Sequence, residues 1–417
     1  MTEAVAEIAR PAAGRLQRGL GVWFGVAVGV GSMIGAGILR APADVAARLP
    51  TPTLFLGAWV IGALYAMLGA NAIAELATLR PRSGGQYTFV REALGALLPR
   101  LHGHAVAVAT VGVAIVTVVL VRGIRASDGA QRTTSLLKAL ALMVLIGACL
   151  AWRSTHGAPL SDGRVAVMPA GLALISALAV ALQGIIFAYD GWTSTVYYSG
   201  EVRDPGREIP RAMFGGLIST MGIYLLINVS FLAVLPLSAI AGSPLAASSA
   251  ASVVFGEYGG TVVELVIALP LPSAIVANLL NASRVIYAMS EDGLAPASCA
   301  RVNAGGTPDA AMIVSAIVAA LFLLTGTFER LIALCAFLFV ASYALSFASL
   351  FVLRRREPDT PRPYRAWGHP WTTGLVLIGS VVFLGTTLAS DPVNATILAV
   401  LIVASYPLYR FIASRRG

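Results

Sequence analysis

Two short stretches of this sequence carry residue types that can handle charge inside an apolar surrounding. The first reads Gly31-Ser32-Met33-Ile34-Gly35-Ala36-Gly37, the second Phe187-Ala188-Tyr189-Asp190-Gly191-Trp192. Glycine is the poorest ordinary helix former after proline, so a spanning helix loaded with it is a candidate for a break. At a break the backbone N–H and C=O groups lose their partners. In a bilayer that is tolerated where the break lines a cavity or a ligand replaces those partners. Freed N–H groups at the start of the second half-helix, with its dipole, suit a carboxylate. Freed carbonyls at the end of the first half suit an ammonium. Such a break offers a site for a zwitterion such as an amino acid. Gly31 and Gly35 also form GxxxG, a helix-packing motif, and taken alone the spacing leaves both readings open.

Asp190 lies deep in the apolar run 171–199. A mid-membrane carboxylate costs roughly 2.5–3.5 kcal/mol on insertion scales and usually marks function. Gly191 beside it permits a break. The plainer reading is that Asp190 ends one helix and caps another near a surface. Two glycine-interrupted spans, one in each half of the chain, favour the broken-helix reading for both. Lys138 is the only lysine and stands near the start of the span 135–152. It is either a snorkelling interfacial lysine or a cation that takes the place of a bound metal ion and links helices around the site. Pro270 and Pro272 predict a kink. Asn278 and Asn281 behind them read as helix–helix glue more readily than as substrate contacts. His102 and His104 are a weak metal hint, and Cys149, Cys299 and Cys335 have no metal or disulfide spacing. No nucleophile–base pair or phosphate-cradling loop is present, so the sequence predicts neither an enzyme nor a cofactor.

The elements that must position these residues are membrane spans. The chain has 417 residues, 57% hydrophobic and 12% charged, with mean hydropathy +0.81. That excludes a soluble globular protein of this size and predicts an all-α polytopic membrane protein. Residues 1–19 are polar and show no cleavable signal. Apolar spans fall at 20–39, 53–77, 104–121, 135–152, 171–199, 213–236, 261–288, 311–326, 331–353, 372–389 and 393–413, eleven in all. The net charge of +9 belongs to short arginine loops and is no nucleic-acid signal. Strict alternation of the spans violates the positive-inside rule. If loops 80–100 and 122–132 both face the cytoplasm, only Arg40, Arg48, Arg153, Arg164 and Arg330 lie outside, and both termini are cytoplasmic. That arrangement needs an even number of crossings between Arg100 and Arg122, where the sequence offers one.

Several separated motifs together resemble bacterial amino acid permeases of the amino acid–polyamine–organocation superfamily, L-type amino acid exchanger branch. Gly31–Ile38 resembles the broken first helix of that family. Pro81–Tyr87 with Arg91 and Glu92 resembles the approach to its third helix, and Phe187–Trp192 its broken sixth. Glu201–Arg211 resembles the loop that follows. Ser283-Arg284 through Asp292, Gly293 and Pro296 resembles the end of helix 8, and Arg362–Pro370 the loop before helix 11. The resemblance runs from about residue 15 to the C-terminus. It implies a single transporter domain over 1–417 with a LeuT-like inverted repeat and broken helices 1 and 6. The first repeat covers about 20–152 and the second about 171–353, with extra C-terminal helices over 372–413. It implies that the backbone of Ser32, Met33, Ile34, Gly35, Ala36 and Gly37 holds a substrate carboxylate. Carbonyls near Met33 and at Phe187, Ala188, Tyr189 and Asp190 would hold the α-amino group. Lys138 matches the family lysine that sits where sodium-coupled relatives bind sodium, which implies exchange or proton coupling in a bacterial inner membrane. The family has twelve helices, and its third has no counterpart between Pro99 and His104. The function expected is secondary amino acid transport by alternating access. A polyamine or basic amino acid antiporter using Asp190 is one alternative, and a membrane protein that binds without transporting is the other.

Overall fold

The computed structural model describes residues 20–94, 125–157, 169–268, 271–303, 307–323 and 328–390. The expected spans 104–121 and 393–413, and the histidines His102 and His104, lie outside them. The described residues are mostly helical, with no strand among them.

The first glycine-rich run folds as two helices. Helix α1 (Val22–Met33) and α2 (Ala36–Ala46) are bent by 45° at Ile34 and Gly35. Helix α3 (Pro52–Leu79) starts where Thr51 caps it, its side chain accepting from the Leu54 N–H at 3.2 Å, with Pro52 in the first turn. A short α4 (Gln86–Leu94) follows, then α5 (Arg125–His156). The second predicted break is present as well. Helix α6 (Leu172–Tyr189) stops at Asp190, and the chain resumes as a 3-10 segment, Ser194–Glu201. Helix α7 (Pro205–Val234) crosses back, and α8 (Leu237–Ala241) and α9 (Ala246–Phe255) are short. Helices α10 (Gly259–Ala268) and α11 (Leu271–Glu291) fall in the predicted span 261–288, and Pro270, where a kink is expected, lies outside the described residues. Helices α12 (Asp309–Leu323), α13 (Phe328–Arg356) and α14 (Trp371–Ser390) complete the described fold. Six of the described helices are long and apolar enough to cross a membrane, and the bent pair α1–α2 makes a seventh candidate.

The two broken pieces are central. Helix α1 packs on α5 and α7, α2 packs on α6, and α3 packs on both α6 and α7. Exposed Leu136, Leu140, Val144, Ile175, Ile378 and Val381 cover the outside, as a lipid-facing surface requires.

Arginine-rich loops from distant parts of the sequence gather on one face. Arg80 pairs with Glu357 at 2.7 Å and Arg356 donates to the Ala93 carbonyl at 3.0 Å. The Leu20 N–H donates to the Glu201 carbonyl at 3.1 Å. A buried cluster fixes the loop before α14 to this face. Glu75 accepts from Arg354 at 2.9 and 2.6 Å and from the Ala366 N–H at 2.6 Å, and Arg362 stands 3.0 Å away. One turn earlier on α3, Asn71 exchanges hydrogen bonds with the Trp367 backbone and accepts from the Tyr364 hydroxyl.

Candidate functional site

The two breaks meet. Ser32 and Met33 end α1, Ile34 and Gly35 form the break, and Ala36 and Gly37 open α2. Phe187, Ala188 and Tyr189 end α6, and Asp190 follows. The contact is backbone to backbone. A Cβ on Gly37 would stand 2.7 Å from the Ala188 Cα, and one on Gly191 would stand 2.7 Å from the Ser32 Cβ and 2.9 Å from the Met33 nitrogen. Gly191 has φ +114, a conformation glycine adopts without strain. The glycines thus do two jobs: they end the helices and let the two broken strands of backbone touch.

At the α1 break the Ile34 N–H still donates to the Val30 carbonyl at 2.8 Å. Gly35 then turns the chain, and the first N–H groups of α2 face the break as at any helix start. A Cβ at Gly35 would meet nothing within 4 Å, so this is the roomy side of the break. Ser32 is buried or half-buried here with its Oγ unpaired, and so are the Tyr189 hydroxyl and the Asn281 Oδ1. The arrangement can take an anion at the start of α2, with a hydroxyl beside it.

The carbonyl side holds a residue that sequence reasoning missed. The Tyr224 hydroxyl on α7 lies 2.6 Å from the Met33 carbonyl oxygen and 2.9 Å from that of Ala188. It donates between the two break carbonyls and ties both breaks to α7. Tyr224, Tyr189 and Trp59 form one aromatic cluster, with ring centroids 5.0 to 6.1 Å apart. Nothing in the local sequence marks Tyr224. A hydroxyl in the middle of an apolar span, at 213–236, is the one signal it gives.

Asp190 is bonded by the Tyr343 hydroxyl from α13, whose ring packs on Trp192 at 4.9 Å. Among the described residues no cation is ion-paired with Asp190. The two asparagines divide: Asn281 donates to the Ser194 Oγ at 3.1 Å and joins α11 to the 3-10 segment, while Asn278 is exposed. Lys138 lies within α5, which packs on α1, α7 and α11; its side chain lies outside the described residues.

Abutting broken helices inside a bundle of apolar spans define a multi-pass membrane transporter fold. The chain belongs to the amino acid permease family, whose profile matches residues 20–101 and 94–411. It is 25% identical to the serine/threonine exchanger SteT of Bacillus subtilis, over 96% of this chain and 98% of that one. It is equally 25% identical to the human b(0,+)-type amino acid transporter 1, over 95% of this chain and 88% of that one. A solved manganese transporter of Eremococcus coleocola superposes with a TM-score of 0.50 at 13% identity, covering 98% of this chain and 99% of that one, a likeness of fold alone.

Proposed function

We propose that the chain carries amino acids across a bacterial inner membrane by alternating access, with the meeting point of the two breaks as the substrate site. The start of α2 at Gly35–Gly37, with Ser32 beside it, takes the substrate carboxylate. Carbonyls at the ends of α1 and α6 take the α-amino group, and each keeps one lone pair beyond its bond to Tyr224. The observation that carries this reading is the direct packing of Gly37 on Ala188 and Gly191 on Ser32, by which the carboxylate and ammonium positions proposed here adjoin. The bundle then rocks about the closed site.

The arginine-rich face is the cytoplasmic one, by the distribution of charge. The two halves, about 20–152 and 171–353, read as the two repeats, each opening on a broken helix. Lys138 on α5 reads as the coupling cation, which favours exchange or proton coupling. Asp190 supports a second reading, a carrier of basic amino acids or polyamines, because its carboxylate can pair with a further ammonium.

The segment between Leu94 and Arg125 lies outside the described residues. The expectation that the family's third helix is missing there favours one further reading, a protein that binds substrate without completing the cycle.

The test is uptake of a mixture of labelled amino acids into liposomes bearing the purified chain, with and without unlabelled amino acid inside. Uptake that needs internal substrate supports exchange, and uptake driven by a proton gradient alone supports proton symport. No uptake from folded protein contradicts the transport reading and leaves the binding one.

A further inference from the structure

The strap of chain between α13 and α14 shows residues alternately inward and outward. Arg362, Tyr364 and Ala366 turn inward. Arg362 stands 3.0 Å from Glu75, the Tyr364 hydroxyl donates to Asn71 at 2.7 Å, and the Ala366 N–H donates to Glu75 at 2.6 Å. Glu75 and Asn71 on α3 are themselves wholly buried. Pro363, Arg365 and Trp367, which alternate with the inward set, are exposed. The outward side chains are thus presented on a frame fixed from within, and the transport reading gives them no task.

Two helices extend this outward side. Helix α7 starts against the strap: a Cβ on Gly206 would stand 2.8 Å from the Pro363 Cβ, and the Phe214 and Tyr364 rings lie 6.4 Å apart. Arg207, Arg211 and Phe214 follow one another at i, i+4 and i+7 and so share the α7 face that meets the strap. Both arginines are exposed. The acids of this region are taken up by the first turn of α7, where Glu208 accepts from the Asp204 N–H at 3.4 Å and Asp204 stands 4.0 Å from Arg207. Arg211 and Arg365 have no ion-pair partner among the described residues. At its other end the strap runs into α14, which is apolar enough to span from Trp371 onward. Trp371 therefore marks the edge of the apolar layer, and the strap lies at headgroup depth. Trp371, Leu375, Ile378 and Val382 form one exposed stripe down α14, at i, i+4, i+7 and i+11.

We infer that the strap, with the start of α7, is a binding site for the headgroup of an anionic phospholipid. Arg211 and Arg365 supply the positive charge for its phosphodiester, each with a fork of donors that matches phosphate. The indoles of Trp367 and Trp371 sit at the level where amphipathic rings settle in a bilayer. Position favours a lipid over a soluble anion, because the basic patch continues into the apolar stripe of α14. That stripe takes acyl chains, which a free phosphate lacks. Since Glu75 ties the strap to α3 and α13, a lipid held here braces the arginine-rich ends of both helices. The inference goes beyond the transport reading and does not depend on it.

The test titrates the purified full-length chain in detergent with short-chain phosphatidylglycerol, with phosphatidylcholine of the same chains and with inorganic phosphate, reading the unfolding temperature. Phosphatidylglycerol should raise it saturably, at concentrations where the other two have no effect. R211Q/R365Q should weaken the apparent affinity roughly 30-fold, the attraction of two arginines at a charged surface. R48Q removes an exposed arginine before the start of α3, at the end far from the strap, and should leave the response unchanged. Native mass spectrometry supplies a second readout: phosphatidylglycerol should stay on the parent and on R48Q and be lost from R211Q/R365Q. Equal stabilisation by phosphatidylcholine or by phosphate overturns the inference. So does a response that survives in R211Q/R365Q or disappears in R48Q. No flux enters these measurements, so this inference and the transport reading fail separately.

Discussion

The Tyr224 hydroxyl lies 2.6 Å from the carbonyl oxygen of Met33, on a helix that reaches the break from far along the chain. The same hydroxyl stands 2.9 Å from the Ala188 carbonyl, so one side chain bridges both breaks. Tyr224→Phe removes the single O–H that these two buried carbonyls share. The expected loss is about 1–3 kcal/mol, read as a lower unfolding temperature of the purified protein. An unchanged temperature would show that the carbonyls find partners without Tyr224.

The glycines of the first break are not equivalent. Gly35 has nothing within 4 Å of its missing Cβ, whereas Gly37 would drive one into the Ala188 backbone. Gly35→Ala should keep uptake close to the parent. Gly37→Ala forces the breaks apart, and overpacking of about 1–3 kcal/mol predicts a loss of roughly tenfold or more in uptake rate. Comparable rates in the two variants would mean that the contact of Gly37 with Ala188 does not matter to transport.

Glu75 is wholly buried between Arg354 and Arg362 and also accepts from the Ala366 N–H. Glu75→Ala strands two cations and should destabilise the protein by roughly 3–5 kcal/mol, the usual cost of removing one partner from a buried pair. Replacement of the acid without a fall in thermal stability would show that solvent reaches the arginines.

His369 sits outside the spans, with Phe351 against its ring at 4.7 Å. Burial and the nearby positive charge of Arg354 hold its pKa below the ordinary histidine value. The unfolded chain therefore binds a proton more readily than the folded one, and stability rises with pH through this range. The His369 contribution is present above pH of about 6.5 and is lost as pH falls through the lowered folded value. His369→Gln should flatten that part of the profile of unfolding temperature against pH. A profile identical to the parent would assign the dependence elsewhere.

Much of this molecule is legible in its sequence, for definite reasons. Glycines crowded into an apolar run, and Asp190 beside Gly191, violate the rules of an ordinary spanning helix, and violations of that kind mark breaks. The gathering of arginine loops on one face follows from charge alone. What stayed hidden is contact between distant segments. Tyr224 and Tyr343 are single hydroxyls in apolar spans, and no local pattern tells which carbonyl or carboxylate they reach. The motif around Gly84 and Gly85 is readable as a family signature, yet its place between Tyr197 and Ala288 depends on how two other helices pack. The side chain of Lys138 lies outside the described residues, so its pairing rests on the sequence resemblance.

The central claim is that the meeting point of the breaks holds a zwitterion, carboxylate at the start of α2 and ammonium at the carbonyl ends. The most direct measurement is the unfolding temperature of the purified protein, and of its Gly35→Leu variant, across a panel of amino acids, the amines lacking their carboxylate and the acids lacking their amino group. Saturable stabilisation by one or more amino acids, with neither truncated form effective and none of it in the variant, is the predicted result. Equal stabilisation by an amine or an acid alone, or its survival in Gly35→Leu, would contradict the site.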